Sequence, residues 1–152
     1  MSFKIKYILN KDEIEQRIPH RHSFSLLDGV TELIANNFIS AHKHLSMDDE
    51  FLKGHFPGNP VMPGVLTLEA LAQAAGVLIH ESVGADEKKF ILYLVGIESC
   101  RFRAPIYPAC DIFLHAKLES KRKMFWKFNC KAIVNEKVMA EVVMIQAPGK
   151  YI

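Results

Sequence analysis

Two side chains in this sequence are suited to moving protons and sit where the neighbouring backbone is tightly constrained: His55 and Glu69. His55 lies in a loop in which Gly54, Pro57, Gly58, Pro60, Pro63 and Gly64 fix or free the backbone at nearly every other position. Glycine before the imidazole allows close approach of a ligand or a second chain. Glu69 lies in the run Val65–Ile79, which is almost wholly Leu, Val, Ile and Ala. Such a run predicts a helix over Gly64–Glu81 buried on most sides, with Pro63 suited to its first turn. A carboxylate inside a buried helix costs several kcal/mol unless it is paired or protonated. Helical spacing aligns Glu69, Gln73, Gly76 and His80 in one polar or small stripe, which must look onto a cleft, a ligand or a partner subunit. An imidazole and a carboxyl at one cleft form a base and acid pair. Taken alone, each residue has a plainer reading: a hydrogen-bonded surface histidine, and a core glutamate with a structural partner.

The elements that must position these groups follow from the rest of the chain. Its 152 residues suit one domain, 1–152, with a sizeable core. Hydrophobic residues at 49% and charged residues at 24% are ordinary for a globular protein. A net charge of +2 creates no general field for nucleic acid. The apolar helix is short and interrupted by Thr67, Glu69 and Gln73, so membrane insertion is not expected. Cys100, Cys110 and Cys130 are odd in number and widely spaced, with neither a metal pattern nor a disulfide framework, which suits a reducing, cytoplasmic setting. No signal peptide is expected from Met1–Lys6.

Met1–Leu9 reads as a poorly specified extended lead-in. Asn10 and Glu13 form a capping-box pair for a helix over Asn10–Arg17, ending before Pro19. Strands are expected over Asp28–Asn36 and Phe38–Leu45, with a tight turn at Asn36-Asn37. His42 and His44 share a strand face; that spacing suits a metal but lacks a third ligand nearby, and a solvated face is the main expectation. Ser82–Lys89 is a hydrophilic link. Strands follow over Phe90–Phe102, Asp111–Glu119, Phe125–Val134 and Lys137–Gln146, with a bulge or close approach at Gly96, a basic turn at Ser120-Lys121-Arg122-Lys123, and a frayed tail from Ala147. One long buried helix with five or six antiparallel strands is an α+β arrangement in which the sheet wraps the helix.

The stretch Gly54–Gln73, GHFPGNPVMPGVLTLEALAQ, resembles the signature of the 3-hydroxyacyl-acyl-carrier-protein dehydratases of bacterial type II fatty-acid synthesis. The likeness extends upstream to Ile18-Pro19-His20-Arg21, Phe24 and Leu26-Leu27-Asp28. Downstream it takes in Gly96-Ile97-Glu98, Arg101-Phe102-Arg103-Ala104-Pro105, Pro108, Trp126-Lys127-Phe128 and Ala140-Glu141, so that it covers roughly residues 12–147. The resemblance implies a hotdog fold, a curved antiparallel sheet around one long central helix. It also implies edge-to-edge homodimers, commonly assembled as trimers of dimers.

The same resemblance implies that His55 and Glu69 form the active site from different subunits, with no metal or organic cofactor. His55 would remove the C2 proton of a 3-hydroxyacyl thioester. Glu69, kept partly protonated by its apolar helix, would protonate the departing hydroxyl, directly or through a water. Backbone amides at Gly64 and Val65 would hold the thioester oxygen. Phe56, Val61, Met62, Leu66 and Ile97 are candidates for an acyl tunnel, and equally for ordinary core. The partner is acyl carrier protein, which is acidic; Arg101, Arg103, Lys121, Arg122 and Lys123 are candidate contacts, with a solvated face as the alternative. His22-Ser23 stand where the family usually has Tyr-Pro, and Gly29 where it usually has arginine. These departures leave a housekeeping or a specialised pathway open. Glutamate at position 69 matches the plain dehydratase branch rather than the dehydratase/isomerase branch. A noncatalytic acyl-thioester-binding protein and a hotdog thioesterase are the competing readings; His55 and Glu69 weigh against the first, and the histidine loop against the second.

Overall fold

The computed structural model describes residues 4–85 and 87–149. The lead-in is more ordered than expected. Ile8 donates its N–H to the Val30 carbonyl at 2.7 Å, and β1 (Leu9–Asn10) pairs antiparallel with β2 (Gly29–Ile34). The Asn10 side chain accepts from the Glu13 N–H while Glu13 reaches back to the Asn10 N–H, so α1 (Lys11–Glu15) starts with the expected capping box. It ends at the Gln16 cap, earlier than Arg17. β2 turns through Asn36, in the left-handed region at φ 60°, into β3 (Phe38–Leu45).

The central helix, α2, spans Gly64–Ser82, within one residue of the expected extent. Pro63 is its N-cap rather than a first-turn residue: its ψ of 126° is extended, and its carbonyl accepts the Leu66 and Thr67 N–H groups. At the other end the Ser82 hydroxyl donates to the Leu78 carbonyl and accepts the Asn36 N–H. The helix end is thereby tied to the distant β2–β3 turn. Ala70–Ile79 is buried without a break, as its apolar composition requires.

Four strands complete the sheet: β4 (Ile91–Phe102), β5 (Cys110–Arg122), β6 (Phe125–Val134) and β7 (Lys137–Gly149). The order is β1-β2-β3-β5-β6-β7-β4, with every pair antiparallel. Period-two alternation turns Trp126, Phe128, Cys130 and Ala132 of β6, and Ala140, Val142 and Met144 of β7, onto α2. Leu71 and Leu78 of α2 are fully buried, as are Ile39, Leu114 and Phe128 of the sheet. A curved antiparallel sheet around one helix is the hotdog fold.

Two details differ from expectation. β5 runs to Arg122 and the turn falls at Lys123, at φ 55°, so Lys121 and Arg122 belong to a strand end rather than a basic loop. The tail is not frayed at Ala147: Ala147, Pro148 and Gly149 lie opposite Tyr93, Leu92 and Ile91 of β4. The register shift between Leu94 and Gly96 is the expected bulge; a Cβ at Gly96 would meet only ordinary contacts.

β4 is at the edge of the sheet, yet Tyr93, Val95, Ile97 and Phe102 are all between 45% and 52% exposed. A long apolar edge strand is a template for pairing with another chain.

Candidate active site

The loop holding His55 is fixed by its own backbone. Phe56 and Asn59 exchange N–H···O bonds at 3.0 and 2.9 Å, and the Val61 N–H donates to the His55 carbonyl at 2.8 Å. Gly58, at φ 73°, makes the turn that this closure needs. The Met62 N–H donates to the Ile106 carbonyl at 2.9 Å, anchoring the loop where it enters α2. The imidazole is fixed in turn: its Nδ1 lies 2.6 Å from the Val61 carbonyl. A carbonyl can only accept, so Nδ1 carries the proton and Nε2 of the neutral ring keeps its lone pair. Phe56, 52% exposed, stacks on the ring with centroids 4.1 Å apart.

Beyond the loop, the first turn of α2 has no acidic residue and no side-chain cap. Leu66 and Thr67 have their N–H groups satisfied by Pro63, while those of Gly64 and Val65 have no protein partner among the described residues. Free amides and the helix dipole together favour negative charge at this tip. A Cβ on Gly64 would lie 2.9 Å from the Phe102 ring, so the chain approaches this closely only with glycine. A cavity of about 230 Å³ opens here, with Met62, Gly64, Phe102 and Arg103 in its wall.

Glu69 lies further along α2 and lines a separate cavity of about 60 Å³. The Gln73 amide donates to its Oε1 at 3.1 Å, and His20 Nε2 lies 3.3 Å from the same oxygen. Burial pushes the Glu69 carboxyl up, but the hydrogen bonds from His20 and Gln73 and the charge of His20 outweigh it, holding the group below the usual glutamate range. This corrects the expectation that its apolar surroundings keep Glu69 partly protonated. The helix is apolar, but the Ile18–Leu26 segment brings polar partners to it. Gln73, 1% exposed, secures that segment by accepting the Leu26 N–H at 3.0 Å and donating to the Phe24 carbonyl at 2.9 Å.

The expected stripe holds for Glu69, Gln73 and Gly76, which all line this cavity; His80 instead shares Glu81 with Arg17. His20 was not singled out by sequence reasoning beyond its place in the motif. The available signal was a histidine in a short irregular stretch before Leu26-Leu27. Within the protomer no hydrogen bond or ion pair joins His55 to Glu69 among the described residues.

The other candidates are scattered. Met62 is core, Val61 and Leu66 are half-buried, and Phe56 and Ile97 are exposed; none of them lines the cavity beside Glu69. Arg103 pairs with Glu141 across β4 and β7, and Lys121 lies over the Trp126 ring at 4.2 Å. Along the register, Lys121 is level with Leu94 and Arg101 is about seven residues further along β4, roughly 20 Å away. The two basic groups therefore sit at opposite ends of one protomer. His42 is not on a solvated face: it is 3% exposed, with Nδ1 on the Tyr7 hydroxyl at 2.7 Å and Nε2 on Asp111 at 2.8 Å. His44 is exposed and reaches the same Asp111 oxygen at 3.0 Å. The Tyr7 ring fills the space over Gly29, where a Cβ would lie 2.2 Å from it; His22 and Ser23 are exposed.

Comparison with known proteins identifies the family and the fold. The FabA-like domain family matches residues 18–143. The chain is 43% identical over 140 residues to a 3-hydroxyacyl-(acyl-carrier-protein) dehydratase FabZ of Nitratidesulfovibrio vulgaris, covering 92% of this chain and 91% of the relative. It is 46% identical over 125 residues to the dehydratase of the same name from Novosphingobium aromaticivorans, covering 82% and 79%. Among solved structures, the dehydratase heterocomplex ApeI:P from Xenorhabdus doucetiae shares the fold with a TM-score of 0.76 at 17% identity, over 95% of this chain and 93% of that one. On these grounds the chain belongs to the FabA-like family of 3-hydroxyacyl-acyl-carrier-protein dehydratases.

Proposed function

We propose that His55 and Glu69, brought together from two protomers, remove water from 3-hydroxyacyl thioesters carried on acyl carrier protein, giving trans-2-enoyl thioesters for fatty-acid synthesis or a related lipid pathway in the cytoplasm. The observation that carries this reading is the fixed tautomer of His55, whose Nε2 is left as a base. Nε2 takes the C2 proton, the electron pair of that C–H bond forms the C2–C3 double bond, and the C3–O bond breaks. Glu69 gives its proton to the departing oxygen, which leaves as water, and solvent resets both groups between turnovers. The amides of Gly64 and Val65 hold the thioester oxygen while negative charge builds on it.

Glu69 must gain a proton before it can give one. Burial is already the largest single influence on it, and its side chain is 25% exposed. Substrate covering that remaining surface adds to the upward push.

The exposed edge of β4 supports a dimer. Antiparallel pairing of two β4 strands sets the Phe102 end of one beside the Ile91 end of the other. That crossing brings His55, near the helix tip, toward the partner's Glu69 cavity, whose wall includes Leu92 and Leu94. It also sets Arg101 and Arg103 on the same side as Lys121, Arg122 and Lys123 of the other protomer, forming one basic mouth for an acidic carrier. A trimer of such dimers, and one domain over 1–152, complete the reading.

The test is to incubate the purified protein with 3-hydroxyacyl carrier protein and follow the acyl group by mass. Loss of one water supports dehydration. Free acid would instead indicate a thioesterase, and binding without turnover a noncatalytic module.

A further inference from the structure

β3 carries a charge on its inward face. Ile39, Ala41 and Leu45 point into the core and are fully buried, and Lys43, in the same alternating series, is 6% exposed. A charge at such a position is costly unless it is paired, and an apolar side chain of similar size serves the fold at least as well. Lys43 Nζ lies 5.8 Å from the centroid of the Phe51 ring. Its ion partner is Asp49, with Nζ 3.7 Å from Oδ2. The same Oδ2 accepts the Ser46 N–H at 2.9 Å, closing the turn by which the chain leaves β3. From that turn a run of backbone bonds leads to the imidazole. The Leu52 N–H donates to the Asp49 carbonyl at 3.0 Å, and the His55 N–H donates to the Leu52 carbonyl at 3.2 Å. Leu52, 2% exposed, seats the run in the core.

We propose that Lys43 is a positioning residue for the reaction: by holding Asp49 it fixes the turn that sets the backbone of His55. The inference rests on the reading of His55 as the base. Downstream of the imidazole, the loop is tied to the protomer by the Met62 N–H on the Ile106 carbonyl. Upstream, Lys43 on Asp49 is the matching tie, made from strand to turn. The bond from His55 Nδ1 to the Val61 carbonyl sets the tautomer, but it lies within the loop and does not fix the loop against the sheet. An apolar side chain at position 43 would fill the same space without attracting Asp49. Misplacing a reacting group by about 1 Å costs about a hundredfold in rate. The Asp49 side chain is 25% exposed, so its carboxylate stays in contact with water when Lys43 is replaced. The tie therefore matters more to where His55 stands than to whether the chain folds.

The experiment measures kcat, KM and Tm with 3-hydroxyacyl carrier protein for the natural protein, Lys43→Met, Asp49→Asn and the double variant. Lys43→Met is expected to lower kcat by about ten- to a hundredfold, with KM within about twofold of natural and Tm unchanged or raised. Asp49→Asn is expected to lower kcat in the same way. The double variant is expected to lose no more than the worse single variant, because both changes remove one tie. Asp49→Asn lies at the more exposed end of the tie and carries the test if Lys43→Met does not fold. Natural kcat in a folded single variant, a loss of rate that follows a loss of Tm, or additive losses in the double variant overturns the inference. Absence of turnover by the natural protein overturns the dehydratase reading as well, so the two failures are distinguishable.

Discussion

Replacing Gln73 with leucine removes three hydrogen bonds while changing side-chain volume little. Gln73 is 1% exposed and connects α2 to Phe24, Leu26 and Glu69. The Leu26 N–H is the costliest loss, because Leu26 is only 3% exposed and leucine offers no acceptor. A buried donor left unpaired costs about 1–3 kcal/mol. Phe24 is 49% exposed, so its carbonyl has access to water, and the lost bond to Glu69 is partly offset by solvent. Together the loss is roughly 2–4 kcal/mol, or a fall in Tm of roughly 5–15 °C for a protein of this size. Urea unfolding at neutral pH, followed by circular dichroism, measures it directly, and amide exchange at Leu26 should speed up in parallel. A loss below about 0.5 kcal/mol, the range of an ordinary surface substitution, would refute the assignment of Gln73 as the tie holding this segment to the helix.

Further outcomes follow from the same geometry. Glu69→Gln should lower kcat by about two orders of magnitude or more, as for loss of a general acid. Because the folded Glu69 carboxyl titrates below its usual 4.5, its contribution to stability is present above that pH and is lost as pH falls through the lowered value. The stability gap between the natural protein and Glu69→Gln, measured by urea unfolding, should therefore be wider at neutral pH than in strong acid. Gly64→Ala should depress turnover, since its Cβ meets the Phe102 ring at 2.9 Å and must displace either the ring or the helix tip; a rate within twofold would remove that tip from the account. Thiol labelling of the native protein should spare Cys130, whose burial pushes its thiol up to about 12, until the chain is unfolded.

The parts of the fold governed by local rules were legible in the sequence. The Asn10–Glu13 cap, the Asn36 turn, the Gly96 bulge and the burial of the Leu- and Ala-rich helix all depend on residues close together in the chain. What escaped depends on contacts between distant segments. Pairing with Ile91–Tyr93 orders Ala147–Gly149, and the Tyr7 hydroxyl satisfies a buried His42. The apolar composition of β4 gave no sign that it would be an edge strand, because a strand waiting for a partner chain reads like one already covered. At the candidate site, His55 and Glu69 could be picked out by type and spacing. The ionisation of Glu69 could not, since it is set by His20, which lies 49 residues earlier in the chain. Lys43 did carry a readable signal: a charged residue at a core-facing position of an alternating strand.

Mixing two inactive variants tests most directly whether catalysis is shared between protomers. His55→Ala and Glu69→Gln, each inactive alone, should regain activity when unfolded together and refolded. In a mixed dimer one of the two symmetric sites receives an intact His55 from one chain and an intact Glu69 from the other, so random pairing predicts about a quarter of natural turnover. No recovery in a mixture shown to contain the mixed dimer would contradict the account, because it would place both groups of each working site on a single chain.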